Sequence, residues 1–412
     1  MKIRKINVTD IEGFKIGNAE NIDKGTGCTV IICEKGAVGG VDVRGGAPAT
    51  RDTDLLRSEN TVEAVNAVVL SGGSAFGLEA ATGVMNELSR KGIGFRVGNI
   101  NIPIVCGASL FDLFLGDSRA YPGKEMGRQA CINAYEGHFS RGNRGAGTGA
   151  SVGKMLGIKR AMKTGLGTFA CTDGYIDVGA VAAVNAVGDV YNGAGNIVAG
   201  LRTEDGKSIF GSIRALKHMV HDIGVAAKPE SNNSEASKTA ERIKNKKEIA
   251  DAIRNVFSNK IRDKAITDER IEKISEEAVN EVYQQVEALE QVEALEQYDE
   301  PEEIKPVVID EDMGYDISFN TTISCLITNA KMSKGQANKL ASILHDAYAR
   351  AIKPVHGRMD GDTIFVLSTG KREVNFDAFA ALATDVLQYA IIDAATSAKS
   401  AYGIPAACDM LR

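Results

Sequence analysis

What this 412-residue chain lacks narrows its chemistry before any motif is read. Seven cysteines, at 28, 33, 106, 131, 171, 325 and 408, are scattered with no C-x-x-C pair. That pattern argues against a disulfide scaffold and leaves reduced, mostly buried thiols. The five histidines contain no H-E-x-x-H; His218 and His221 are three apart but have no third ligand at a sensible spacing, so no metal site is expected. No flavin or nicotinamide fingerprint stands out, and no cofactor is expected. No uninterrupted apolar run approaches eighteen residues and no cleavage signal follows Met1-Lys2-Ile3-Arg4-Lys5, which points to no membrane partner and a cytoplasmic location. With 48 Lys and Arg against 54 Asp and Glu the net charge is −6, so a concentrated basic surface is missing and nucleic acid is not an expected partner.

Proline is scarce, at 8, whereas glycine is abundant, at 44, and gathers in short runs such as Gly39-Gly40, Gly45-Gly46, Gly72-Gly73 and Gly145 to Gly153. Without a collagen-like period, such runs mark tight turns and close backbone approaches. Strand-like segments are expected at 26–34, 37–43, 66–70, 93–97, 104–105, 165–169, 176–187 and 196–201, with a helix through Ala81, Met85 and Leu88. From 229 to 315 the chain turns charged and helical in pattern, and Gln-Val-Glu-Ala-Leu-Glu repeats at 285–290 and 291–296. A six-residue spacing does not match a heptad, so this stretch reads as a helical insertion or linker and not a coiled coil. Order returns with a strand at 321–330, a helix at 333–352, a strand at 363–367 and an alanine-rich helix at 376–395. Residues 1–228 and 316–412 would together form one catalytic α/β domain. The pattern alone leaves a doubly wound sheet and a layered sandwich both open.

Two familiar motifs fail on spacing. Gly149-Ala-Ser-Val-Gly153-Lys154-Met155 is one residue short of a phosphate loop and puts methionine where a magnesium ligand belongs. Gly72-Gly73-Ser74-Ala75-Phe76 lacks the closing glycine of a nucleophile elbow. Close packing of a helix on a sheet, or amides facing a substrate carboxylate, suits Gly72, Gly73 and Ser74 better. Asn320-Thr321-Thr322 is different. A cut before Thr321 would leave a hydroxyl and an α-amine on one residue, a nucleophile with its own base. An α-amine titrates near 8, so no histidine is needed. Without a cut, Thr321 simply starts a strand.

Long segments resemble the L-aminopeptidase/D-esterase family, which includes the β-peptidyl aminopeptidases. They are Cys33 to Pro48, Val69 to Leu78, Gly145 to Lys154, Val181 to Val187, Asn320 to Ile323 and Asp360 to Thr369. The resemblance implies a four-layer αββα sandwich of the self-processing N-terminal-nucleophile type. It also implies cleavage between Asn320 and Thr321 into two chains that stay together, assembled as a homo-oligomer, a tetramer of such units. Thr321 would be the nucleophile and its amine the base, acting on short peptides, amides or esters with a free N-terminus. Asn185 would support the oxyanion. Asp362 would take the place of an orienting glutamate, and Asp360 stands where relatives have serine, which would alter the local charge. Asn329 would lie in the substrate pocket in place of an aspartate. The oxyanion tyrosine of some relatives finds no match near Leu110 and Phe111. Acyl transfer of the ornithine acetyltransferase type and a silent binding or scaffold relative are the alternatives.

Overall fold

A computed structural model describes residues 3–222 and 320–410. These belong to one compact unit, Met1–Ile223 with Tyr315–Arg412. The expected helical insertion at 229–315 lies outside the described residues.

Ten strands carry the fold: β1 (Arg4–Ile6), β2 (Lys15–Asn21), β3 (Thr26–Val43), β4 (Ala49–Arg51), β5 (Val65–Ser71), β6 (Val105–Ser109), β7 (Leu166–Thr172), β8 (Asp177–Asn185), β9 (Thr321–Ala330) and β10 (Thr363–Arg372). Their order is β1-β7-β8-β9-β10-β3-β5-β6-β4, with β2 also on β3. The pairs β9–β10 and β5–β6 are parallel. The long strand β3 serves two sheets. Its residues Val38 to Val43 pair with β10, whereas Thr26 to Ile32 pair with β2 and Cys28 to Ile32 also pair with β5. The sequence suggested two strands here with a turn between. The chain instead bends at Gly36, whose φ of +79° suits only glycine, and the register shifts between Ile32 and Ala37.

Side-chain alternation then builds four layers. On β9, Ile323, Cys325 and Ile327 point into a core between the two sheets, beside Val181 and Ala183 of β8 and Val68 and Leu70 of β5. The opposite face of the first sheet meets α4 (Lys334–Ala351) and α5 (Phe376–Thr396) through Leu340, Leu344, Val386 and Ile391. The second sheet is covered by α1 (Glu79–Arg90) and α2 (Lys124–Glu136) through Val84, Leu88, Ala130 and Ala134. A further helix, α3 (Ser212–Asp222), follows the last small strands of the first half. The result is an αββα sandwich, the architecture implied by the resemblance.

Local signals start the two C-terminal helices. Ser333 caps α4 in a reciprocal pair with Gln336, and Asn375 caps α5 by accepting from the Ala378 amide at 3.0 Å. Helix α5 is long and apolar enough to cross a membrane by length and composition, although polar residues interrupt its apolar run. Ten of its residues, including Phe379, Ala383, Val386 and Leu387, are buried in the core, as suits a covered core helix.

Candidate active site

Strand period and register bring the first two candidates together. Thr321 opens β9 on the face of Ile323 and Cys325, which looks between the sheets. Asn185 ends β8 on the face of Val181 and Ala183, and its Cα partner across the antiparallel ladder is Thr321. Both residues therefore stand at one end of the inter-sheet layer, 4% and 1% exposed.

The bond before Thr321 is held from several sides. Thr321 Oγ1 donates to the Asn320 carbonyl oxygen at 2.5 Å, and the Gly361 amide donates to the same oxygen at 2.8 Å. The Asn320 amide donates to Met359 O at 3.1 Å. Asn320 thus continues β9 alongside the turn that leads into β10. A Cβ on residue 361 would lie 2.7 Å from Thr321 Oγ1 and 2.9 Å from Ala47 O, so only glycine lets the hydroxyl and the amide approach this oxygen together.

The Asn185 side chain is fixed through its amide oxygen and one N–H. Its Oδ1 accepts from Lys154 Nζ at 2.7 Å and from the Ser151 amide at 3.1 Å, while its Nδ2 donates to Phe111 O at 2.8 Å. Those partners set the orientation of the amide. Lys154 Nζ also donates to Asn185 O at 2.9 Å. Burial lowers Lys154 to about 7, against the opposing pull of Asp360 and Asp112. A second buried lysine, Lys163, is lowered to about 7 for the same reason and donates to Gly147 O, Ala150 O and Thr164 O. It ties down the glycine-rich segment that carries Lys154.

The turn before β10 supplies two buried acids. Asp360 is pushed up to about 6, chiefly by burial and then by Asp362, with the Gly357 amide, Lys154 and His356 opposing. Its Oδ2 accepts from the Gly357 amide at 2.5 Å. Asp362 faces β9: Oδ1 accepts from the Thr322 amide at 2.7 Å, and Oδ2 lies 2.9 Å from His356 Nδ1 and accepts the His356 amide at 3.2 Å. The structure therefore gathers Asn320, Thr321, Asn185, Asp360 and Asp362 into one place. Asp362, expected to stand in for an orienting glutamate, reaches the amide of Thr322, one residue after Thr321.

Other candidates are placed differently. The amides of Gly72, Gly73 and Ser74 are already committed, to Gly27 O at 2.9 Å, Asp112 Oδ1 at 2.7 Å and Leu110 O at 2.9 Å. The last two brace the Leu110–Asp112 segment, whose Phe111 carbonyl holds Asn185, and the three do not form an anion cradle. Asp112, pushed up to about 6 by burial, also accepts from Thr26 Oγ1 at 2.9 Å. Asn329 is eight residues along β9 from Thr321, about 26 Å at ~3.3 Å per strand residue. Its side chain bonds the Asp177 amide and carboxylate at 3.0 and 3.2 Å, far from the nucleophile.

Lys154, His356 and Gly361 were missed as site residues. Lys154 had a signal, a lone cation in a glycine-rich apolar stretch, but it was weighed only against a phosphate loop. Among the described residues no cluster of three His, Cys, Asp or Glu side chains is placed to hold a metal.

Known proteins resemble this chain in family and in fold. Peptidase family S58 matches residues 7–407. An uncharacterized aminopeptidase of Mycobacterium leprae is 30% identical, covering 98% of this chain and 94% of its own. A 6-aminohexanoate-oligomer endohydrolase of Kocuria sp. is 27% identical, covering 94% of this chain and 85% of its own. Among solved structures, the L-aminopeptidase D-Ala-esterase/amidase of Ochrobactrum anthropi, described as a variant of the Ntn hydrolase fold, superposes with a TM-score of 0.54 at 15% identity, covering 95% of this chain and 86% of its own. A Burkholderia sp. beta-aminopeptidase gives 0.53 at 17% identity over 98% and 92%. At that identity the two structures establish the fold.

Proposed function

The chain belongs to Peptidase family S58, a hydrolase family, and from that premise we propose that it cuts itself before Thr321 and then uses Thr321 to hydrolyse amides and esters through an acyl-enzyme. The observation that carries this reading is the Asn320 carbonyl, which receives the Thr321 hydroxyl at 2.5 Å and the Gly361 amide at 2.8 Å.

In the uncut chain the Thr321 nitrogen is a peptide nitrogen and cannot act as base. Lys154, buried and lowered to about 7, supplies a neutral amine beside Asn185 instead. Thr321 Oγ1 attacks the Asn320 carbonyl carbon and its proton passes to the lysine. The Asn320 oxygen takes the negative charge against the Gly361 N–H. Collapse breaks the bond from carbon to the Thr321 nitrogen, which takes up the proton, and leaves an ester on Thr321. Water hydrolyses that ester to the Asn320 carboxylate.

The same ester chemistry then serves substrates. The freed α-amine takes the hydroxyl proton, Thr321 acylates, the leaving amine or alcohol departs, and water restores the enzyme. Asn185 has two N–H groups; one is spent on Phe111 O, and the other serves the substrate oxyanion. One such donor contributes roughly 3 to 4 kcal/mol in the transition state. Short peptides, amides and esters with a free N-terminus are the proposed substrates. The names of the relatives add ω-amino acid oligoamides to the class to be tried.

Intact mass of the purified protein tests the reading. Two fragments whose masses sum to the full chain plus one water are expected, against one uncut chain for Thr321→Ala. Amino acid anilides, dipeptides and linear 6-aminohexanoate oligomers then sort the substrate. A stable uncut wild-type chain sinks the mechanism.

A further inference from the structure

We propose that His356 is a positioning residue for this site: it clamps Asp362, and Asp362 in turn holds the Thr322 peptide that fixes Thr321 against the scissile carbonyl. The inference rests on the self-processing reading above. It starts from a local oddity. His356 has a φ of +59°, in the left-handed region that bulky side chains avoid. That conformation lets one residue bring two donors to one oxygen, its amide at 3.2 Å and its ring Nδ1 at 2.9 Å from Asp362 Oδ2. The other oxygen of Asp362 is left for the Thr322 amide at 2.7 Å.

The ring is itself held from α4. It lies edge-on to His345 with centroids 4.7 Å apart and stacks with Tyr348 at 6.0 Å. Tyr348 Oη bonds to the Thr322 carbonyl at 3.2 Å. Thr322 is therefore gripped at its amide by Asp362 and at its carbonyl by Tyr348, and His356 touches both gripping groups. Thr321, one residue back, must keep its hydroxyl within a few tenths of an ångström of one carbonyl, a geometry that small displacements spoil.

The groups facing His356 give its ring Nδ1 a donor role toward Asp362. Asp362 contacts it, and Asp360, with Lys154 beyond, acts on it through space. His345, on the other side, packs against Asp42 O at 3.2 Å and Asp42 Oδ1 at 3.7 Å, with Arg44 near. His345 is lowered to about 4, chiefly by burial and then by His356. Among the described residues His345 Nδ1 and His356 Nε2 are buried with no hydrogen-bond partner. A proton on His356 Nδ1 satisfies Asp362 Oδ2. Asparagine offers an N–H near the Nδ1 position and tolerates positive φ, so it reproduces the clamp.

Two readouts test this. In pulse-labelled full-length chain, His356→Ala is expected to slow self-cleavage about tenfold or more, and His356→Asn to recover it to within about threefold of wild type with an unchanged pH profile. Cleavage of His356→Ala at the wild-type rate, or His356→Asn as slow as His356→Ala, overturns the clamp. The second readout does not need cleavage: in a Thr321→Ala background the Thr322 amide is expected to exchange hydrogen about tenfold faster with His356→Ala and unchanged with His356→Asn. Equal exchange in the two overturns the clamp even in a chain that never cuts. A wild type that stays uncut while exchange responds as expected overturns the self-processing reading and keeps the clamp.

Discussion

Single side chains at this site work through burial. Lys154 is a cation that burial has made a weak one, and Asp360 is an acid that burial has made a weak one, so both change charge close to neutral pH. A base acts only when deprotonated, and Lys154 gives up its proton as pH rises through about 7. Self-cleavage should therefore rise with pH between about 6 and 7 and level off above, in a quench-flow or gel time course. Lys154→Arg should abolish the rise and slow cleavage about a hundredfold, because a guanidinium does not deprotonate. Thr321, Asn185 and Asp362 were named from sequence because motif and family resemblance picked them out. Lys154 was passed over because its local pattern suggests only a failed phosphate loop, and its low proton affinity exists only once the folded chain buries it, against the opposing pull of Asp360 and Asp112. Asn329 rested on the resemblance alone, and the extended strand sets it eight residues from Thr321 at about 3.3 Å each, against Asp177.

At the scale of elements, β9 is a ten-residue strand of buried residues whose inward and outward faces do different work. The face between the sheets carries Thr321, Ile323 and Cys325, while the outer face, with Thr322 and Ser324, answers to α4. Tyr348 of α4 reaches Ser324 Oγ at 2.9 Å as well as Thr322 O at 3.2 Å, which fastens the helix to the start of the strand. Tyr348→Phe should lower stability by about 1–3 kcal/mol in urea unfolding, because buried partners lose their bond. The C-terminal elements were readable from period, with α4 and α5 starting within a residue of their expected positions. Strands β1, β2 and β4 and helices α2 and α3 had no expected counterpart, and β3 was read as two strands because glycine at 36 breaks the pattern locally. Only the pairing partners on either side make it one strand that passes between sheets.

Across the whole described unit, β9 lies in the interior of its sheet, with β8 on one side and β10 on the other. A cut before Thr321 would free one strand end and leave the ladders, both helical layers and the inter-sheet core in place. The fragments 1–320 and 321–412 are therefore expected to co-elute on size exclusion in buffer and to part only in denaturant. Separation without denaturant would contradict this placement. The sequence by itself determined the local pieces: many of the strands, the two C-terminal helices, and a threonine at a change of texture that resembles a family nucleophile. Period and propensity act over a few residues, so they stop there. The tertiary structure decided that Asn185 pairs with Thr321 and holds Lys154, that Asp362 and His356 meet beside Thr322, and that the Gly361 amide reaches the Asn320 carbonyl. Those contacts join residues far apart along the chain, and only strand register, burial and the resulting shifts in proton affinity bring them into one chemistry.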